Sequence, residues 1–212
     1  MNHFDEDVPP GVDFLSEKAA RKWAREAEEK LPSRMNFFAA FVTALTKFDP
    51  EPGNVLELGS GPGFLAEYVL SRCPFIQQYT LLDFSEPMLS MARTRLRLFE
   101  DRVSFLQVDF KQQGWADKVS ESYDCIVSIQ AVHELRHKRH GVEFYKKCKT
   151  LLNRGGLMLI CDRLPQDDSD RDRALFMAED EQLRALSRAG FSDPEVLLRT
   201  AERVACRAFK GR

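Results

Sequence analysis

The chain of 212 residues lacks the features of several protein classes. It has no excess of basic charge, because 31 lysines and arginines stand against 33 acidic residues, and this argues against a nucleic acid partner. No apolar run approaches the length that spans a membrane, so no membrane partner is expected. Residues 1–10 are acidic and contain proline, and they do not resemble a secretory signal.

Paired cysteines and internal repeats are missing as well. The five cysteines form an odd, scattered set without a C-x-x-C pair, which is typical of reduced thiols rather than of a disulfide framework. We therefore expect a cytoplasmic location. The length suits one domain with a large buried core.

Apolar runs rich in β-forming residues alternate with segments of helical periodicity. The runs predict seven strands, at 54–58, 79–83, 103–108, 123–129, 156–162, 195–199 and 204–209. Helical segments at 65–73, 86–98 and 142–152 lie between the first five strands. The alternation predicts an α/β fold, a doubly wound Rossmann-like sheet that is mostly parallel. Only a turn fits between the last two strands, so the last strand is expected to be antiparallel.

Two more helices are predicted before the first strand, at 16–31 and 35–48, with an interruption at Pro32. We expect residues 1–50 to form a helical cap within the same domain as a core of residues 51–212. The cap is rich in aromatic side chains, which either close a ligand site or belong to the core. These are Phe14, Trp23, Phe37, Phe38 and Phe41.

A glycine-rich turn follows the first predicted strand, in the sequence Glu57-Leu58-Gly59-Ser60-Gly61-Pro62-Gly63. Glycines here permit a tight turn and a close approach of the backbone to a ligand. The dinucleotide fingerprint requires glycine at position 64, where this chain has Phe64, so a nicotinamide-dependent dehydrogenase is disfavoured. The acidic Glu57 suits a ligand ammonium group better than a diphosphate. An ordinary strand-to-helix turn is the alternative.

The second predicted strand ends on an acid, Asp83, followed by Phe84 and Ser85. The acid is expected at an exposed strand end beside the glycine turn, where one carboxylate can accept hydrogen bonds from both hydroxyls of a ribose. Ser85 with Pro87 is a helix-start pattern that needs no ligand.

At these two motifs the chain resembles the class I S-adenosylmethionine-dependent methyltransferases of the kind that modifies small molecules, over 54–209. The resemblance implies a donor site for S-adenosyl-L-methionine, in which Asp83 holds the ribose and Asp109 faces the adenine amino group. An alternative role for Asp109 is that of a helix cap. The implied donor-binding residues are Glu57, Gly59, Ser60, Gly61, Gly63, Asp83, Phe84, Met88, Asp109, Phe110 and Gln130.

The segment after the fourth strand matches the family's loop that borders donor and acceptor. It contains His133, for which a catalytic base, a group that positions the acceptor and a structural residue all stay open. Glu134, Arg136 and His137 are candidate acceptor contacts. The run 136–140 is strongly basic, which indicates either a solvated helix face or attraction of an anionic acceptor. Neighbouring cations disfavour a metal at its histidines.

The resulting hypothesis is methyl transfer to a small soluble acceptor, anionic if the basic run faces the site. A non-catalytic protein that binds S-adenosylmethionine and assists a partner is the main alternative. A nucleic-acid methyltransferase is disfavoured, because the sequence has neither an Asn-Pro-Pro-aromatic run nor a Pro-Cys nucleophile. The acceptor, the atom that is methylated and the oligomeric state are not specified by the sequence.

Overall fold

The computed structural model describes residues 6–211, and this part of the chain contains seven strands. The strands are β1 (Asn54–Leu58), β2 (Gln78–Asp83), β3 (Val103–Gln107), β4 (Tyr123–Ile129), β5 (Leu152–Arg163), β6 (Ser192–Arg199) and β7 (Arg203–Phe209). They form a single sheet in the order β3-β2-β1-β4-β5-β7-β6. The strands β1 to β5 pair in parallel, and β7 is antiparallel to both of its neighbours. The predicted fold class is confirmed.

Seven α-helices accompany these strands within residues 6–211. They are α1 (Glu17–Glu29), α2 (Met35–Thr46), α3 (Phe64–Leu70), α4 (Glu86–Arg95), α5 (Gly141–Leu151), α6 (Asp170–Leu175) and α7 (Glu179–Arg188). The sequence analysis did not predict α6 and α7. No helix among these residues is long and apolar enough to cross a membrane.

Strand alternation divides the apolar side chains between two cores, one on each face of the sheet. Leu56, Ile126 and Ile160 lie in the core that also holds buried residues of α5 and α7. The intervening Val55 and Cys125 lie in the other core, with residues of α2, α3 and α4. Burial of apolar surface on both faces explains the near-continuous hydrophobicity of the central strands.

The N-terminal helices have different surroundings. Phe37, Phe38 and Phe41 of α2 are fully buried in the core on one face of the sheet. Of the two roles considered for the aromatic residues of the cap, these three therefore have the core role. Phe14 and Trp23 instead line a cleft above the carboxyl ends of the strands. The domain boundary at residue 50 stays a prediction, and residues 1–5 of the predicted cap lie outside the described residues.

Candidate active site

A cleft of about 530 Å³ lies at the carboxyl edge of the parallel strands, beneath the segment that contains α1 and its connection to α2. Ligands of open α/β sheets bind at this edge because loops from several strands converge there. The lining residues are Phe14, Trp23, Lys30, Ser33, Arg34, Gly59, Gly61, Asp83, Phe84, Met88, Phe110, Gln130, Ala131, His133, Glu134, Arg163, Glu202 and Arg203. Nine of the sequence-predicted site residues are thus brought together.

The glycine turn is fixed to the end of the neighbouring strand. The backbone N–H groups of Gly59 and Ser60 donate to the Leu82 carbonyl at 2.8 and 3.1 Å. The N–H of Gly61 donates to the Asp83 carboxylate at 2.8 Å. Gly61 has a φ of +54°, and a Cβ at this residue would meet no atom within 4 Å. The turn therefore presents bare backbone to the cleft.

Asp83 lines the cleft but is more enclosed than the sequence predicted, with 7% of its surface exposed. Besides Gly61, its carboxylate accepts from the Ser85 N–H at 2.9 Å. Burial raises the pKa of Asp83 to about 6 although these N–H donors favour the charged form. The expectation of an exposed acid was wrong, because the start of α4 and the glycine turn close around it.

Glu57 does not line the cleft, contrary to the expected contact with a ligand ammonium group. Its side chain is 1% exposed, and it accepts a hydrogen bond from the Tyr79 hydroxyl at 2.9 Å. Burial raises the pKa of Glu57 to about 8, so the carboxyl is mostly protonated at neutral pH. Glu57 therefore joins β1 to β2 as a buried neutral group.

His133 stands at the cleft in a pair with Asp162, the penultimate residue of β5. The His133 backbone N–H donates to Asp162 Oδ2 at 2.8 Å, and ring atom Nδ1 lies 2.7 Å from Oδ1. Because a carboxylate only accepts, Nδ1 carries the proton. Burial opposes protonation of the ring, but the charge and hydrogen bond of Asp162 outweigh it and raise the pKa of His133. The other ring nitrogen, Nε2, lies 3.6 Å from Glu134 Oε1, so two carboxylates flank the ring.

The other predicted donor residues fall into two groups. Phe84, Met88, Phe110 and Gln130 line the cleft, and Gln130 has a φ of +54°, a strained conformation of the kind that concentrates at functional sites. Three predicted residues lie outside the lining set, namely Ser60, Gly63 and Asp109. Gly63 precedes α3 in a left-handed conformation, Asp109 accepts from the Lys111 N–H at 2.9 Å, and the buried Ser60 Oγ has no hydrogen-bond partner among the described residues.

Arg136 does not contact the cleft, because its guanidinium binds the N-terminal segment. Its Nε donates to the Val8 carbonyl at 2.8 Å and its Nη2 to the Pro9 carbonyl. Its Nη1 pairs with Glu134 at 3.0 Å, which leaves Glu134 as the cleft-lining member of the pair. Arg136 thus anchors residues 8 and 9 rather than facing an acceptor.

The rest of the basic run also has partners within the protein. His137 is 9% exposed, and its Nδ1 accepts a backbone N–H from Arg139 at 3.0 Å. The remaining positions form ion pairs, Lys138 with Glu181, and Arg139 and His140 with Asp7. The run is therefore not directed at the cleft. Its first two residues are buried, whereas Arg139 and His140 keep side chains that are 41% exposed, as the solvated-face alternative expects. Among residues 6–211 no group of three or more His, Cys, Asp or Glu side chains could hold a metal ion.

Several residues of the cleft were missed by the sequence analysis. The charged ones are Lys30, Arg34, Arg163, Glu202 and Arg203. They come from the α1–α2 connection, from the end of β5 and from the turn into β7. None belongs to a recognisable motif, and only their positions at strand ends or before a helix could have indicated them.

The fold and the cleft together define a Rossmann-like domain with a glycine turn, an acid after β2 and a histidine after β4. Residues 55–156 match the family model described as a methyltransferase domain. This match assigns residues 55–156 to a methyltransferase domain, which agrees with the expected S-adenosylmethionine-dependent methyltransferase of class I.

Solved structures of similar fold include methyltransferases of several kinds. An O-methyltransferase family protein from Burkholderia thailandensis is 15% identical with a TM-score of 0.72, and the match covers 98% of this chain and 65% of that one. Human N-acetylserotonin methyltransferase in complex with S-adenosylmethionine is 19% identical with a TM-score of 0.71, over 94% and 58% of the two chains. At this identity the likeness shows the fold alone.

A curated protein with sequence similarity is the non-reducing polyketide synthase esdpA of Penicillium shearii. It is 30% identical over 118 residues, which are 53% of this chain and 5% of the synthase. The highly reducing polyketide synthase pkhB of Emericella nidulans is 30% identical over 116 residues, 52% of this chain and 4% of that protein. The chain therefore spans only a small part of the length of these relatives.

Proposed function

We propose that the cleft binds S-adenosylmethionine and transfers its methyl group to a small soluble acceptor. The observation that carries the proposal is the meeting of three features in one cleft: the bare backbone of Gly61, the carboxylate of Asp83 and the His133 ring held by Asp162. The first two suit a nucleoside-bearing donor, and the third suits an acceptor that loses a proton.

The residues of the cleft fit the donor along the edge of β1 and β2. Asp83 keeps lone pairs for the ribose hydroxyls after accepting from Gly61 and Ser85. Phe84, Met88 and Phe110 provide apolar and aromatic surface suited to the adenine. The open space beside Gly61 admits the methionine moiety. Asp109 and the adenine amino group remain a proposed pair.

When bound, the donor supplies a methyl group on a sulfonium, whose S–C bond breaks with the electron pair remaining on sulfur. The acceptor atom forms the new bond to the methyl carbon, so the chain's main task is to align it with the S–C axis. His133 takes the proton from an acceptor hydroxyl or ammonium at Nε2. Asp162 holds the ring by Nδ1 and stabilises the imidazolium that results.

The acceptor is proposed to be a small molecule because the cleft is partly covered. Phe14 and Trp23 pack edge to face at 5.4 Å above the strand ends and exclude water from that side. The net charge of −2 gives no electrostatic support for a nucleic acid acceptor. The O-methyltransferase family protein among the structural neighbours illustrates an acceptor chemistry that this site could share.

Calorimetry with S-adenosylhomocysteine, followed by transfer of a labelled methyl group to a panel of small acceptors, tests the proposal. We expect binding in the wild type and turnover that depends on His133. Absence of binding would refute the donor site. Binding without turnover on any acceptor would favour the non-catalytic partner protein instead.

A further inference from the structure

Three arginines, here called the arginine cluster, stand together on one side of the cleft. Arg163 is the last residue of β5, and it pairs with Arg203, the first residue of β7, in the antiparallel ladder. Arg34 immediately precedes α2. All three side chains line the cleft. Burial and, second, the charge of Arg203 lower the pKa of Arg34 to about 10.

The described chain supplies little negative charge to the cluster. Arg203 pairs with Glu202 at 3.1 Å, and that glutamate side chain is 61% exposed. Within residues 6–211, no carboxylate forms an ion pair with Arg34 or Arg163, and the buried Nε atoms of Arg34 and Arg203 donate no hydrogen bond. The guanidiniums of Arg34 and Arg163 lie over the rings of Trp23 and Phe176, which supply no carboxylate. A buried N–H without an acceptor is costly, so a ligand anion that accepts from the two Nε atoms would relieve this arrangement.

The cluster lies on the far side of His133 from the proposed donor site. Asp83 ends β2, His133 follows β4, and the cluster adjoins β5 and β7. In the sheet order, β2 and β7 are separated by four strand spacings, or about 19 Å. The donor occupies the β2 and β1 side, so the space between His133 and the cluster is left for the acceptor.

We infer that the arginine cluster binds an oxyanion group of the acceptor, a carboxylate or a phosphate. This inference rests on the proposed function, since it assigns the substrate class of the same cleft. Guanidinium groups match both anions with paired, charge-assisted hydrogen bonds. The bound anion also offsets the positive charge that the sulfonium and the cluster bring to one cleft.

The test uses the full chain saturated with S-adenosylhomocysteine. Calorimetry measures the Kd of benzoate and of phenyl phosphate, which distinguish the two anions, and of benzamide as a neutral probe. Aromatic probes suit the ring of Trp23, which lies in the cleft 5.9 Å from the Arg34 guanidinium. The variants are Arg34→Gln, Arg203→Gln and Arg163→Gln. Arg163 is exposed, so its replacement tests the anion site without affecting folding. Arg207→Gln, on the same strand as Arg203 but outside the cleft, is the matched control.

We expect at least one anion to bind, benzamide to bind more weakly, and each cluster variant to weaken the anion by about 10- to 100-fold, with the control unchanged. Absence of binding by both anions, or equal Kd values in all variants, would overturn the inference. A loss of affinity for S-adenosylhomocysteine but not for 5′-methylthioadenosine in the Arg34 variant would also overturn it, because the cluster would then hold the donor's carboxylate.

The same measurements distinguish failure of the proposed function from failure of the anion site. If S-adenosylhomocysteine does not bind the wild type, the donor assignment is refuted. Titration of the same anions without it still reports on the cluster, and arginine-dependent binding there would support the anion site.

Discussion

Replacing Gly61 by alanine separates ligand contact from folding with a single methyl group. The φ of Gly61 is +54°, and the new Cβ would meet no protein atom within 4 Å. The cost to the fold is therefore the left-handed backbone alone, about 1–2 kcal/mol. Because the methyl group would point into the space assigned to the donor, we expect Gly61→Ala to fold and to lose affinity.

The size of the loss follows from how the turn is held. The turn can retreat from the added methyl group only if the Gly61 N–H leaves Asp83, to which it donates at 2.8 Å. A hydrogen bond to a charged group contributes about 1.5–3 kcal/mol. We therefore expect the Kd for S-adenosylhomocysteine to rise by about 10- to 100-fold.

Gly155→Ala is the matched control. Gly155 has a φ of +73°, a Cβ there would also meet no atom within 4 Å, and the residue lies outside the cleft. Chemical denaturation should show a similar loss of stability in both variants, while calorimetry should show weakened binding in Gly61→Ala alone. Equal affinity in the two variants would place the donor away from the glycine turn and refute the reasoning.

Three further predictions test neighbouring groups. Asp83→Asn should raise the Kd for S-adenosylhomocysteine by about 10- to 100-fold. The affinity of the wild type should fall as the pH drops through about 6, where Asp83 becomes protonated. A calorimetric affinity that does not change with pH would contradict the ribose assignment. His133→Ala should lower turnover by about 10²-fold with donor affinity unchanged. Asp162→Asn should move the acidic limb of kcat to lower pH, because the carboxylate raises the pKa of His133. Because the pKa of His133 is raised in the folded state, the His133–Asp162 pair stabilises the fold below the ordinary pKa of histidine, and this contribution is lost as the pH rises through the pKa of the folded state. If the acidic limb of kcat is not shifted in Asp162→Asn, His133 is structural. Arg136→Ala should lower Tm and speed proteolysis near residue 8, with equal effects on anionic and neutral acceptors, and a selective loss of anionic acceptors would restore its predicted substrate role.

The strands were predictable because their apolar runs are buried on both faces. The bounds of β1 and β4 agree with the sequence prediction, whereas β5 begins four residues before the predicted Gly156. That extension depends on Leu152 pairing with Tyr123 across a register shift, which apolar patterning does not encode. The helix α7 was missed because much of its sequence is charged and its buried face is small.

The candidate site was predictable in position and less so in chemistry. The motif placed Glu57 beside the glycine turn, but its protonation depends on burial and on Tyr79 from another strand. The charge of Arg136 was visible, but its partners Val8 and Pro9 lie more than a hundred residues away in the chain. In both cases the role of the residue depends on contacts with residues distant in the chain, and local sequence spacing does not predict such contacts.

The end of β5 links the two chemical tasks proposed for the cleft. Asp162 and Arg163 are consecutive, and the first holds His133 while the second belongs to the arginine cluster. The ladder with β7 fixes both residues, through the register pairs of Asp162 with Val204 and of Arg163 with Arg203. The distance between the proposed base and the proposed anion site is therefore set by backbone hydrogen bonds rather than by a flexible loop. A rigid spacing of this kind favours acceptors in which the acidic group and the methylated atom are held at a matching separation.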